Sequence, residues 1–327
     1  MTTLFIDRRQ LQLKADNEAL VFYDQTSNEK LGTVPIRLLE RVCIKGDVQL
    51  TASVLGKLGE HGIGLLLLSG RKRAPVLMMP NLKVDGKRRF AQFAAAQDSG
   101  FCLQQARGWI QQKAERQQHF IQQAAEQHAV LSNKVAAMQQ LLTQIANSSD
   151  IEQLRGYEGV AAAHYFSAWQ HILPASLNFH GRNRRPPRDP FNTVLSLGYT
   201  LLHFELVRRI YLAGLDPFIG YFHAPAHGRE SLASDLLEPL RPQYDQWAAD
   251  CFRQKILRPE DFSTQQEACM MGKAGRIRYY SEVEHFIAAL QPQLTEAIRR
   301  LLADLSRHSN QDPADFDYQE SHWEEEA

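Results

Sequence analysis

The sequence predicts an α+β protein in which a small N-terminal β-rich domain is followed by a larger all-α domain. Two observations support this fold class. Residues 1–80 contain short apolar runs separated by Asn, Ser and Gly, a pattern typical of strands and turns. From Arg88 onward, long stretches are rich in Ala, Gln and Leu with few Gly or Pro, which predicts helices.

The first part of the chain is predicted to form a β-rich domain over residues 1–80. One helix interrupts its strands, and the polar segment that follows contains Pro and Gly, so a linker is predicted over residues 81–89. The apolar runs of strand length are Thr3–Ile6, Gln10–Lys14, Ala19–Tyr23, Arg41–Ile44 and Gly64–Leu68, followed by the stretch Ala74–Met79, and the helix is Thr51–His61.

The second part is predicted to be α-helical over residues 90–310. Its predicted helices are Phe90–Gln97, Leu103–Glu126, Ala129–Asn147, Gln153–Trp169, Pro190–Leu212, Leu232–Arg253 and Val283–Arg307. The last stretch, residues 311–327, holds seven acidic residues and no Lys or Arg, and we predict a disordered tail there. Because the whole chain has a formal net charge of zero, the other 310 residues carry +7, which suits a protein that meets a polyanion.

The remaining bulk features favour a soluble, cytoplasmic protein that does not enter a membrane. The N-terminus lacks an apolar segment after a basic start, so no signal peptide is predicted. No apolar run approaches the roughly 18 residues that a membrane helix needs. The four cysteines stand far apart, which is typical of reduced thiols rather than of a disulfide framework.

Three segments contain candidate catalytic residues. Glu158 stands between two glycines in a predicted helix, where each glycine costs roughly 1 kcal/mol, so a close backbone or ligand would explain them. His223 follows a strand-like run after Gly214 and lies in a loop, where functional side chains are common. Asp235 and Glu238 are three residues apart and share a helix face. Alone, each has an ordinary alternative: a solvated glutamate, a hydrogen-bonded histidine, or the polar face of an amphipathic helix.

An acidic pair beside a histidine loop can form a site for a hard cation. Oxygen ligands suit Mg²⁺ or Mn²⁺, and an imidazole favours Mn²⁺. Pro239 directly follows Glu238 and is expected to kink its helix.

Basic residues form clusters that are candidates for DNA contacts. Prolines keep an arginine-rich segment extended, and arginine forks match phosphate oxygens. A solvated loop paired with carboxylates is the alternative for each cluster. The candidate DNA contacts are Arg182, Arg184, Arg185 and Arg188 in this segment, Arg88 at the domain junction, and Lys273 beside two tyrosines.

Three segments together resemble the CRISPR-associated endonuclease and integrase of spacer acquisition. They are Leu154–Phe166 (LRGYEGVAAAHYF), Arg184–Tyr199 (RRPPRDPFNTVLSLGY) and Gly214–Pro242 (GLDPFIGYFHAPAHGRESLASDLLEPLRP). Their order and the β-then-α layout also match that family. The resemblance implies phosphoryl transfer in which a DNA 3′-hydroxyl attacks a phosphodiester of a repeat array, joining new DNA and releasing a 3′-end. It also implies a homodimer joined through the β-rich domains, and a second-numbered CRISPR-associated protein as partner.

The same resemblance implies roles for single residues. The divalent cation, Mg²⁺ or Mn²⁺, would be bound by Glu158, His223 and Glu238, with Asp235 assisting. Tyr165 matches a tyrosine near the family's active site, and it or His227 is a candidate for proton transfer or phosphate positioning. Three other functions stay open: a metal-dependent nuclease on branched DNA or RNA without integration, a non-catalytic DNA-binding subunit, and a helical protein-interaction module.

Overall fold

The computed structural model describes residues 2–68, 75–79 and 85–318, and the chain divides into two compact units. One unit comprises Met1–Asp85 with Tyr318–Ala327, and the other comprises Gly86–Asp317. The change of unit therefore falls inside the linker predicted for residues 81–89. Because a helix already begins at Gly86, the last four residues of that predicted linker are helical, and residues 81–84 lie outside the described residues.

The first unit contains two four-stranded sheets, as the β-rich prediction requires. One sheet has the order β1-β5-β7-β8, in which only the β7–β8 pair is antiparallel, and the other has the order β4-β3-β2-β6. The elements are β1 Thr2–Ile6, β2 Leu11–Asp16, β3 Ala19–Asp24, β4 Lys30–Pro35, β5 Leu39–Ile44, β6 Val48–Leu50, α1 Ala52–Glu60, β7 Gly64–Leu67 and β8 Val76–Met78. Strands β4 and β6 were missed by the sequence prediction.

The core of this unit is formed by the inward faces of both sheets and by α1. In β2, Leu11 and Leu13 alternate with less buried residues and are 4% and 1% exposed, which is the period-two pattern of a strand with one buried face. Val54 and Leu58 of α1 complete the same cluster. Each such side chain contributes roughly 1.5–3 kcal/mol when it is fully buried.

The second unit is mostly helical, and its described part contains one element type that was not predicted. A two-stranded antiparallel ribbon, β9 Phe262–Gln265 and β10 Ala268–Met271, precedes the last helix. The helices are α2 Gly86–Gln97, α3 Ser99–Ala125, α4 Ser132–Ala146, α5 Ile151–Ile172, α6 Pro190–Leu212, α7 Ser231–Leu237, α8 Arg241–Arg253 and α9 Lys273–Ser309. Helix α9 starts ten residues earlier than predicted, so Lys273 is its first residue.

Helix α6 occupies the centre of this unit. It is buried around most of its circumference, and even the ion pair between Glu205 and Arg209 is inaccessible to solvent, with a distance of 2.8 Å from Nε to Oε1. A helix that is apolar on all sides is expected at the core of a large domain. Within the described ranges, none of the helices combines the length and hydropathy needed to cross a bilayer.

The prediction of a disordered tail is wrong for the first residues of that segment. Pro313–Phe316 forms a short 3-10 helix, and Phe316 is only 4% exposed because its ring is packed into the fold. The guanidinium of Arg88 donates to the backbone carbonyl oxygens of Ala213, Asp315 and Asp317. Arg88 therefore anchors this segment rather than standing free for phosphate. Residues 319–327, the rest of the predicted tail, lie outside the described residues.

Candidate functional site

Glu158 lies in the middle of α5, with a side chain that is 24% exposed. The glycines beside it do not accommodate a neighbouring backbone, since a Cβ atom added at Gly156 or Gly159 would meet nothing within 4 Å. That part of the sequence interpretation is wrong. The two glycines instead leave open space next to the carboxylate, where a ligand has room.

His223 is held by a buried carboxylate. The segment from Gly214 to His223 is a loop rather than the predicted strand-like run. Asp235 on α7 is inaccessible to solvent and accepts a hydrogen bond from Nδ1 of His223 at 2.6 Å. It also accepts from the backbone N–H groups of Tyr221, Phe222 and His223 at 2.7, 3.0 and 2.9 Å. Asp235 thus fixes both the loop and the imidazole.

Gly220 lets the loop approach Asp235 this closely. A Cβ atom added at position 220 would lie 2.7 Å from Oδ2 of Asp235 and 2.8 Å from the backbone of Ser231. Any larger residue would push the loop away from α7. The chain therefore needs glycine at this position to bring His223 to its carboxylate.

Glu238 faces two cations. The residue is 5% exposed and begins a 3-10 turn, Glu238–Leu240, that connects α7 to α8. Its Oε2 accepts from Nζ of Lys113 at 2.6 Å, and its Oε1 accepts from Nε of Arg241 at 2.9 Å. Nζ of Lys113 also donates to Oε1 of Glu158. One buried ammonium therefore joins the two glutamates that the sequence proposed as metal ligands.

Electrostatic interactions keep Glu238 and Lys113 in their charged forms. Burial alone would raise the pKa of Glu238, but the charges of Arg241 and Lys113, with a smaller effect of His223, hold that pKa well below its usual value. Burial would lower the pKa of Lys113, yet the charges of Glu238 and Glu158 raise it overall. Glu238 is therefore ionised and Lys113 protonated across the physiological pH range.

The two carboxylate donors suit a hard divalent cation, and both are hydrogen-bonded to an ammonium. In the part of the chain that the structure describes, no group of three His, Cys, Asp or Glu side chains is arranged to hold a metal ion. The carboxylates of Glu158 and Glu238 nevertheless share one positive group, the ammonium of Lys113. The contact of His223 with Asp235 leaves its Nε2 for another partner. Two carboxylates and an imidazole fit Mg²⁺ or Mn²⁺.

Tyr165 and His227, the candidates for proton transfer, differ in their exposure to solvent. Tyr165 is inaccessible to solvent and packs against Phe120 and Trp169. Burial, together with the charge of Asp245, raises its pKa well above the usual value. His227 is exposed in the loop between α6 and α7. Tyr165 is therefore closed to solvent, whereas His227 is open to it.

A buried polar cluster lies beside Glu238. The guanidinium carbons of Arg241 and Arg182 lie 4.4 and 5.4 Å from the centre of the Tyr199 ring. The Tyr199 hydroxyl donates to the carboxylate of Asp245. Burial raises the pKa of Asp245 to about 6, against the opposing hydrogen bond from Tyr199. Arg182 also donates to Oδ1 of Asn192 at 2.8 Å, and this bond fastens the arginine-rich segment, residues 182–188, to the start of α6.

The other predicted DNA contacts are exposed. The side chains of Arg184, Arg185 and Lys273 face solvent, as does Arg188, whose contact with Glu267 is a weak one at 3.8 Å. The β9–β10 ribbon links the arginine loop, residues 182–188, to the segment just before α9. Cys269, which lies four residues before Lys273, donates its backbone N–H to the carbonyl oxygen of Pro187 at 2.8 Å.

Lys113 and Arg241 are the site residues that sequence reasoning missed. A signal for Lys113 was present, because it stands on the apolar face of α3 between Ile110 and Ala114, both of which are 1% exposed. A lysine there needs a buried partner. Arg241 stands three residues after Glu238, the spacing at which side chains on a helix meet.

Comparisons with known proteins agree with this fold. The family model for CRISPR associated protein Cas1 matches residues 4–285. A CRISPR-associated endonuclease Cas1 of Thermodesulfovibrio yellowstonii is 37% identical over 294 residues, which cover 88% of this chain and 92% of the relative.

Two solved structures share the fold. A casposase bound to its integration product aligns with a TM-score of 0.79 at 20% identity, covering 98% of this chain and 95% of the other. A Cas6-RT-Cas1–Cas2 complex aligns with a TM-score of 0.80 at 21% identity, covering 98% of this chain and 36% of the other. The family model and the endonuclease relative lead to one conclusion: the chain belongs to the CRISPR-associated Cas1 family.

Proposed function

We propose that this protein is a metal-dependent DNA endonuclease and integrase, which inserts new spacer DNA into a CRISPR repeat array by phosphoryl transfer: a DNA 3′-hydroxyl attacks a phosphodiester of the repeat, which joins the new DNA and releases a 3′-end. The observation that carries the proposal is the convergence of Glu158 and Glu238, from two separate elements, on one positive group. The names of the relatives support the activity. One is a Cas1 endonuclease, and one structural neighbour is bound to an integration product.

Each residue of the site has a part in this reaction. Glu158, Glu238 and Nε2 of His223 would hold the cation, Mg²⁺ or Mn²⁺. When bound, such an ion polarises the phosphate and stabilises the attacking and leaving oxygens. Asp235 keeps the proton of His223 on Nδ1 and so leaves Nε2 as the ligand atom. This chemistry requires no nucleophile from the protein, because the 3′-hydroxyl or a water molecule attacks.

The exposed basic residues would hold the DNA. Arg184, Arg185, Arg188 and Lys273 are exposed and would contact backbone phosphates, and a hydrogen bond from Cys269 of the ribbon to Pro187 supports their placing near one another. Such contacts position DNA without reading its sequence. A homodimer and a second-numbered CRISPR-associated protein, Cas2, belong to the same proposal. The Cas1–Cas2 complex among the structural neighbours supports the latter partner.

The proposal is tested by replacing Glu158 with glutamine, a change that keeps the shape and removes the charge. We expect Glu158→Gln to lose joining of a labelled DNA into a repeat substrate while its affinity for that DNA is unchanged. Glu152→Gln is the matched control, since Glu152 lies on the same helix with an 81% exposed side chain. Joining at the wild-type rate by Glu158→Gln would show that this carboxylate is not a ligand.

The same assay separates an integrase from a nuclease that does not join DNA. A donor DNA that ends in a 3′-dideoxynucleotide has no attacking hydroxyl, so it cannot be joined, whereas hydrolysis by water still proceeds. An integrase is expected to produce joined strands only from the 3′-hydroxyl donor. Equal cleavage of both donors without any joined product would instead favour the nuclease.

A further inference from the structure

We infer that Lys113 is a positioning residue that stands in for the divalent cation: its ammonium holds Glu158 and Glu238 together when no metal is bound, and it must withdraw when the ion enters. Lys113 therefore lowers the affinity of the site for divalent cations. The inference rests on the proposed function, because it takes these two glutamates as metal ligands.

The ammonium lies between the two carboxylates that would hold the ion. Nζ of Lys113 lies 2.6 Å from Oε2 of Glu238 and is also hydrogen-bonded to Oε1 of Glu158. Mg²⁺ takes oxygen ligands at about 2.0–2.1 Å, so an ion held by both carboxylates would need the place of the ammonium. The ion and the ammonium cannot occupy that position together, because they overlap and carry the same sign of charge.

The surroundings of Lys113 show why the chain keeps a lysine there. Its side chain is only 7% exposed, and its neighbours on α3, Ile110 and Ala114, belong to the apolar core. Without a cation, the carboxylates of Glu158 and Glu238 would face each other in a poorly solvated place, which strongly disfavours both being ionised. Lys113 removes this repulsion and keeps both acids in position before metal arrives.

Arg241 cannot replace Lys113 in this role. Its Nε contacts Oε1 of Glu238, on the other side of that carboxylate from Lys113. Its guanidinium is also stacked on Tyr199. A lysine, in contrast, has a compact charge on a flexible four-carbon chain, which lets the ammonium move away from the carboxylates. Arg241 therefore stays with Glu238, whereas Lys113 is the cation that exchanges.

The test measures Mn²⁺ binding to the full-length protein by the electron paramagnetic resonance signal of free Mn²⁺. Lys113→Met keeps the length of the side chain and removes its charge, so it is expected to bind Mn²⁺ about tenfold more tightly or better than the wild type. Lys113→Arg retains the charge and is expected to show no gain. Lys134→Met, on α4, is the control, because Lys134 forms no ion pair with either glutamate.

A second measurement, of the melting temperature, keeps the inference testable if the variant folds poorly. The melting temperature of Lys113→Met without metal should fall below that of the wild type, and saturating Mn²⁺ should raise it by more than it raises the wild type. If Lys113→Met does not fold without metal, the polar variant Lys113→Gln is used in both measurements. Unchanged or weaker Mn²⁺ binding by the neutral variants would overturn the inference.

Glu158→Gln distinguishes failure of the inference from failure of the proposed function. When Glu158→Gln weakens Mn²⁺ binding but the neutral Lys113 variants do not strengthen it, the metal site stands and the role of Lys113 is refuted. If the wild type binds no Mn²⁺, or binds it as well as Glu158→Gln does, the metal site itself is refuted and the inference with it.

Discussion

Replacing Asp235 with asparagine should change both the fold of the His223 loop and the chemistry of the imidazole. The buried carboxylate accepts hydrogen bonds from the backbone N–H groups of residues 221, 222 and 223 and from Nδ1 of His223. An asparagine oxygen can still accept from Tyr221 and Phe222. Its NH₂ group then faces the N–H and the ring of His223, where a donor meets a donor.

The size of the effect follows from the contacts that are lost. A backbone N–H left unpaired in this buried place costs about 1–3 kcal/mol. For a helical unit of this size, each kcal/mol lowers the melting temperature by about 2–4 °C, so a decrease of roughly 2–12 °C is expected. The ring of His223 is expected to move its proton to Nε2 and accept from the new NH₂ at Nδ1, which removes the proposed ligand atom.

Three measurements check this prediction. Calorimetry gives the melting temperature, nitrogen-15 shifts of His223 report which ring nitrogen carries the proton, and a joining assay reports activity. Asp250→Asn is the control, because Asp250 makes a surface pair with Arg253 that is worth about 1 kcal/mol or less. An Asp235→Asn variant with the wild-type tautomer, stability and joining rate would refute the role given to Asp235.

Two other predictions concern the arginine loop and the buried acid. Neutralising Arg184 and Arg185 should weaken DNA binding and reduce the slope of log affinity against log salt by about 2, or about 0.9 per lost phosphate contact; an unchanged slope would exclude these contacts. Asp245 has a pKa raised to about 6 from 3.8, so its folded state holds a proton more tightly. The stability that the protonated Asp245 adds to the fold is fully present below about pH 4. About 3 kcal/mol of it is lost as the pH rises through 6. Asp245→Asn should abolish that part of the pH dependence in chemical denaturation, and an unaltered profile would contradict the assignment.

The parts of the site that could be predicted from the sequence are those with a local pattern. Asp235 and Glu238 have helix spacing, whereas the glycines beside Glu158 accommodate no neighbouring backbone and so did not mark it for that reason. Lys113 could not be paired with its glutamates in this way, because it is 45 residues from Glu158 and 125 from Glu238 along the chain. Only the packing of α3 against other elements brings them together.

The fold shows the same division between local and distant information. The strands from Thr2 to Asp24 were predicted to within one or two residues, since their apolar alternation and their turns are local. The β9–β10 ribbon was missed because its strands, FSTQ and ACMM, are four residues long and lack a regular alternation. The first turn of α9, residues 273–276, contains two basic residues and no large apolar one, so no apolar pattern extended the prediction to its first residue.

The 3-10 turn that contains Pro239 sets the angular positions of two charged side chains around one axis. Residues three apart are offset by about 60° on an α-helix, whereas they eclipse each other on a 3-10 helix, which has three residues per turn. Glu238 and Arg241 are three residues apart across this turn, and the backbone N–H of Arg241 donates to the carbonyl oxygen of Glu238. Their side chains therefore stay closer to one row than on a continuous α-helix. The turn that interrupts the helix thus keeps Arg241 in line with the acid that faces Lys113.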